Sequence, residues 1–227
     1  RTQLQTHRSR VCDKLVRCSI SRDARFVCRA DYPRLNGNVY EKVAAHITEQ
    51  LYPGVAMKKD YDQLLNKRPS KSDAIFSWHQ DMAYWPPPTI TPDTRTVTFS
   101  LAIDSTTVQN GCINFVPGSQ KGAVIRPFRA AFKDREEGHA VQSEMFESDR
   151  VVPAPVRRGS VSIHDEYVVH GSMGNDSESD RRTYVLAFRP ATTVAIERSH
   201  GFTHSHNDEV NWDTFQSIVD EQQENEL

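Results

Sequence analysis

Cysteine is scarce in this chain of 227 residues, which has Cys12, Cys18, Cys28 and Cys112 and no others. The four lack the paired spacing of a zinc knuckle and are too few to staple a fold of this length, so they read as reduced thiols in a cytoplasmic protein. No apolar run approaches the roughly 20 residues of a membrane-spanning helix, and nothing resembles a cleavable signal. The expectation is a soluble protein with no membrane span. The chain begins with Arg1 rather than Met, so a targeting signal ahead of it would be invisible. An excess of one charge is also missing: the net charge of -2 makes no case for nucleic acid as a partner. That balance hides an uneven distribution. Residues 1–34 hold nine Lys and Arg against three Asp, whereas residues 207–227 hold seven carboxylates and no Lys or Arg. Such runs read as solvated faces at the two ends.

A hydrophobic content of 37%, with 12 Pro and 10 Gly, suits one domain over residues 1–227 with a sizeable core. The spacing predicts a helix over 38–51. Asn38 is placed to cap it, Glu41 follows three residues on, Val39, Val43, Ile47 and Leu51 recur about every fourth position, and Pro53-Gly54 stops it. From Tyr61 onward the texture changes to short apolar or alternating runs cut by turn residues. Strands are expected at 63–66, 75–81, 96–103, 112–116, 150–156, 160–164, 167–170 and 183–188. Many short strands without alternating helices predict a mainly β fold, a jelly roll with flanking helices. A last helix is expected over 211–223, with Trp212, Phe215, Ile218 and Val219 on one face. The polar stretch 128–149 is long for a plain connection and reads as a lid.

The chemistry starts at His79-Gln80-Asp81. Side chains alternate along an extended strand that rises roughly 3.3 Å per residue, so His79 and Asp81 point the same way and reach one ion. His170 is the favoured third donor. It ends a β-rich run, and Gly171-Ser172 leaves room beside it. Two imidazoles and one carboxylate on one face of a metal, with the opposite positions open, form the facial triad of non-heme Fe(II) oxygenases.

The segment from about residue 60 to 190 resembles the phytanoyl-CoA dioxygenase (PhyH) family of Fe(II)/2-oxoglutarate oxygenases. The resemblance rests on Asp62-Gln-Leu-Leu-Asn-Lys67, Trp78-His-Gln-Asp-Met-Ala-Tyr-Trp85, Asn110-Gly-Cys-Ile-Asn-Phe-Val-Pro-Gly-Ser119 and His164-Asp-Glu-Tyr-Val-Val-His-Gly-Ser172, with Asn175 and Arg181 beyond. It implies a double-stranded β-helix, a cupin-like jelly roll, with His79, Asp81 and His170 as iron ligands. It also implies Arg181 as the grip on the distal carboxylate of 2-oxoglutarate, assisted by Ser172, with Lys67 within reach. A guanidinium fork suits a carboxylate, and Arg182 is the neighbouring alternative because one residue of register reverses the side chain. Three positions depart from the family pattern: Gln120 where His is common, Met173 where Gly is frequent, and a short region ahead of Asp60.

Other residues carry less. Trp78, Tyr84 and Trp85 divide between pocket lining and core packing. Cys112 reads as a small buried apolar residue. His164 reads as structural, since six extended residues would put it roughly 20 Å from His170. His200, His204 and His206 read as a solvated loop rather than a second zinc site, and His7, His46 and His139 have no recognisable context. The expected activity is hydroxylation, or a related oxidation, of an unactivated C–H in a small organic substrate by dioxygen and 2-oxoglutarate, with succinate and CO2 released. Asp81 argues against halogenation by filling the position chloride would need. A zinc hydrolase using the same three donors and a non-catalytic jelly-roll binding protein are the alternatives.

Overall fold

A computed structural model describes residues 37–202, apart from 87, 89, 92 and 131–140. Cys12, Cys18, Cys28, His7, His139, His204, His206, the helix expected over 211–223 and both charged ends lie outside the described residues.

Helix α1 (Val39–Leu51) forms as the capping pattern predicts: the Asn38 side chain accepts from the Glu41 N–H, and Glu41 reaches back to the Gly37 N–H. Ten strands follow. They are β1 (Met57–Lys67), β2 (Phe76–His79), β3 (Val97–Ala102), β4 (Ile113–Phe115), β5 (Phe128–Ala130), β6 (Val141–Ser143), β7 (Val152–Ala154), β8 (Val161–His164), β9 (His170–Ser172) and β10 (Arg181–Pro190), with helix α2 (Ala191–Ser199) closing the described chain. Two four-stranded antiparallel sheets, ordered β1-β10-β3-β8 and β2-β9-β4-β7, build the double-stranded β-helix. Among the described residues no helix is long and apolar enough to cross a membrane.

Strand alternation divides the first sheet into two chemistries. On one face Val97, Phe99, Leu186 and Phe188 pack with Ala44 of α1. On the other, Thr98, Ser100, Thr183, Val185 and Arg181 line the interior. The pairing Lys67↔Arg181, Leu65↔Thr183 and Gln63↔Val185 extends that interior row onto β1.

The differences from expectation are local. β1 begins six residues before the expected strand, because its early positions carry charges that hide the pattern, including Lys58, Lys59 and Asp60 at an irregularity between Lys59 and Tyr61. β2 stops at His79, and Asp81 opens a short 3-10 turn, Asp81–Tyr84. Gln80 is still extended, so His79 and Asp81 keep one side. Residues 167–169 are buried without being a strand, and β9 starts only at His170. Part of the expected lid is the β5-β6 hairpin, tied to the body where the Val141 N–H donates to the Tyr84 hydroxyl.

Gly111 has a positive φ, and a methyl group there would enter the carbonyls of Met173 and Gly174 and press on Lys67 Nζ. The Met173 carbonyl accepts from that lysine head.

Candidate metal centre and anion pocket

His79 ends β2, Asp81 follows it, and His170 opens β9, the strand paired with β2 in register His79↔His170. Ladder pairing thus sets the two imidazoles side by side, with ring centroids 4.2 Å apart. One donor atom from each of the three residues lies within 4.8 Å of the other two. Asp81 Oδ1 faces Nε2 of His170 at 3.5 Å and Nε2 of His79 at 3.7 Å. Each ring is oriented from behind: His79 Nδ1–H donates to Ser77 O at 2.6 Å and His170 Nδ1–H to Val168 O at 3.0 Å. Both Nε2 lone pairs are left free on the side of the carboxylate, the tautomer a metal ligand needs. Burial would raise the Asp81 carboxyl, but His170, His164 and His79 around it hold it well below the usual carboxylate range. Burial, reinforced by His79 and His164, pushes the His170 imidazole well down, and burial also lowers His79. Neutral imidazoles facing an ionised carboxylate are the donor set that suits Fe(II).

The three donors border a cavity with about 870 Å3 of empty space, part of it open to solvent. Along its wall lies the buried Arg181, 2% exposed; Lys67, 0% exposed, sits behind the wall and reaches it through Ser172. Lys67 Nζ donates to Ser172 Oγ at 2.6 Å, to Ser172 O at 3.2 Å and to the Met173 carbonyl. Burial, then the neighbouring Arg181, draws the Lys67 pKa down to about 6, and burial draws Arg181 to about 10. Among the described residues no carboxylate pairs with either, and Arg181 Nε and Thr183 Oγ1 are buried without a partner. A desolvated guanidinium and a buried lysine beside an unused hydroxyl leave hydrogen-bonding capacity that no carboxylate among the described residues fills. Arg182 faces outward and is half-exposed, bound through Nε and a terminal nitrogen to Asp104 at 2.7 and 2.8 Å. Of the two arginines only Arg181 lines the cavity.

Tyr84 and Trp85 line the same cavity, with Trp85 also in a core cluster with Met82, Tyr167 and Phe202. Cys112 is buried and unpaired by any disulfide. Gln120 and Met173 stand outside the cavity wall, though the Met173 carbonyl holds Lys67.

The extended-chain separation assigned to His164 and His170 is wrong: their ring centroids are 4.3 Å apart. Asp165 reverses the chain between them, its Oδ1 accepting from the N–H groups of Tyr167 and Val168. β8 and β9 consequently enter different sheets, and both histidines reach one point. Sequence reasoning also missed Thr98, whose hydroxyl donates to Asp81 Oδ2 at 2.8 Å, and Thr183. The parity of Thr183 with Arg181 was a usable signal.

A double-stranded β-helix with two imidazoles and a carboxylate converging at the end of one sheet defines a class, the jelly-roll proteins with a candidate mononuclear metal centre. Within that class the chain belongs to the phytanoyl-CoA dioxygenase (PhyH) family, whose model matches residues 7–183. Among curated proteins it is 37% identical over 89 residues to phytanoyl-CoA dioxygenase domain-containing protein 1 of Mus musculus, covering 38% of this chain and 30% of that protein. It is 30% identical over 91 residues to the Caenorhabditis elegans homolog, covering 38% and 32%. These matches span about a third of the relatives' length. The fold is similar to that of EvdO2 from Micromonospora carbonacea var. aurantiaca, solved in complex with 2-oxoglutarate. That match has a TM-score of 0.64 and 21% identity, covering 84% of this chain and 82% of the other.

Proposed function

We propose that this chain is an Fe(II)- and 2-oxoglutarate-dependent oxygenase that hydroxylates an unactivated C–H of a small organic substrate. The observation that carries the reading is one cavity lined by a His-Asp-His donor cluster and by the buried Arg181, with buried Lys67 behind the lining Ser172 and, among the described residues, no carboxylate paired with either. His79, Asp81 and His170 would hold the iron, and Arg181, Lys67 and Ser172 the distal carboxylate of the cosubstrate. When bound, the metal would let dioxygen act as the oxidant, with 2-oxoglutarate supplying two of its four electrons and leaving as succinate and CO2, and the substrate C–H supplying the other two.

The protein's own residues do the positioning. The Ser77 and Val168 carbonyls fix the two imidazoles, and the Thr98 hydroxyl fixes Asp81. Arg181 and Lys67 neutralise the far end of a dicarboxylate, while Tyr61, Leu65, Tyr84, Trp85 and Val185 provide an apolar wall that limits water beside it. A hydrolase with zinc on the same donors would have no use for the two cations. The chain's own family match and a fold similar to that of EvdO2, which was solved with 2-oxoglutarate, support the oxygenase reading.

Anaerobic addition of Fe(II) and 2-oxoglutarate tests it. A weak visible charge-transfer band is expected in the wild type and absent from His79→Ala and Asp81→Ala. Zinc-dependent hydrolysis by a protein that never gives the band overturns the proposal.

A further inference from the structure

His164 is 9% exposed, and neither ring nitrogen has a hydrogen-bond partner of good geometry among the described residues. Its ring is wedged between Phe115, at 5.5 Å between centroids, and His170, at 4.3 Å. A neutral imidazole carries one N–H, and burying that donor unused is costly. The nearest acceptor identified is Asp81 Oδ2, 3.4 Å from His164 Nε2. The two oxygens of Asp81 thus face different groups. Oδ1 looks toward Nε2 of His79 and His170, while Oδ2 accepts from Thr98 and faces His164.

We propose that His164 is a positioning residue for Asp81, its Nε2–H holding Oδ2 together with the Thr98 hydroxyl so that the carboxylate offers Oδ1 alone to the metal. The inference rests on the oxygenase reading above. The opposite tautomer would aim a nitrogen lone pair at a carboxylate oxygen, so Asp81 itself selects Nε2–H. Thr98 approaches from β3 and His164 from β8, paired Thr98↔His164 in one sheet, so the two donors are fixed together by the ladder. A carboxylate held through one oxygen occupies one coordination position. The second oxygen, left free, could take another position and compete with the keto acid or dioxygen.

The test is Co(II) binding to the metal-free protein under anaerobic conditions, read as affinity and as the visible Co(II) spectrum, which responds to coordination number. His164→Leu removes the donor and is expected to weaken binding by roughly 10- to 100-fold and alter the spectrum. His164→Gln, which keeps an N–H at similar reach, restores most of both. Thr98→Val removes the companion donor and moves both readouts in the same direction, an independent handle if His164→Leu does not fold. Metal uptake that His79→Ala abolishes and His164→Leu leaves unchanged overturns this role while leaving the oxygenase reading intact. A loss in both His164 variants as severe as in His79→Ala also overturns it, because His164 would then be a ligand. Wild-type protein that takes up no Co(II) overturns both readings.

Discussion

Arg181 and Arg189 open and nearly close the same strand, β10, eight residues apart and on the same inward face, and both are buried. Their surroundings differ. Arg189 donates to Glu197 through both terminal nitrogens at 2.7 and 2.6 Å and to Asp60 at 3.0 Å, while Arg198 contacts Asp60 as well. Its charge is met within the protein, and it ties α2 to the sheet. Arg181 has no such carboxylate among the described residues; its titratable neighbour is a lysine, Lys67, whose pKa burial and Arg181 draw down to about 6. One buried arginine completes the fold, and the other is the one proposed to take an anion from outside. What separates a structural cation from a binding cation here is the partner, since residue type, strand and burial are shared.

Three measurements sharpen or break that contrast. The largest effect is expected from Arg189→Met, which takes from Glu197 its two-pronged partner and leaves Asp60 with Arg198 alone, and should cost about 3–5 kcal/mol of stability, read by denaturant unfolding. A loss below about 1 kcal/mol would make the cluster incidental. Arg181→Met should do the reverse, leaving the ligand-free protein as stable as wild type or about 1 kcal/mol more so. It should also weaken 2-oxoglutarate binding by about 2–5 kcal/mol with iron binding spared. Unchanged cosubstrate affinity, measured by titration calorimetry, would move the anion site elsewhere.

The smallest effect concerns pH. Burial and then Arg181 hold the free Lys67 near a pKa of about 6, with Cys112 as the other titratable group nearby. A bound dicarboxylate favours the ammonium and raises that pKa, so binding takes up a proton. Affinity therefore falls as pH climbs above about 6, by up to about 1.4 kcal/mol per unit. Binding isotherms between pH 6 and 8 should show this slope in the wild type and its loss in Lys67→Met; equal slopes in the two proteins would refute it.

Much of this was legible in the sequence because the relevant signals are local. Asn38 and Glu41 announce α1, and the alternation of β3 and β10 announces a sheet with one apolar face. His-x-Asp needs only an extended dipeptide to bring its side chains together, and Gln80 remains extended although β2 has ended. Arg181 against Arg182 was undecidable before pairing was known, because the answer lies in the register Lys67↔Arg181. The separation of His164 from His170 was misjudged for a related reason. It depends on a reversal made by the Asp165 side chain, and a linear count assumes there is none. The β5-β6 hairpin was hidden by its polar composition, since its stability draws on contacts with the rest of the molecule.

The Arg189 cluster has one further consequence. Its guanidinium lies 4.2 Å from the centre of the Trp85 ring, and that indole, 2% exposed, also borders the cavity. A fluorophore clamped by a cation on one side and open to arriving molecules on the other is a resident optical probe. Emission changes that disappear in Trp85→Phe would let unlabelled compounds be ranked by how they fill the space beside the metal-binding donors, before any product has been identified.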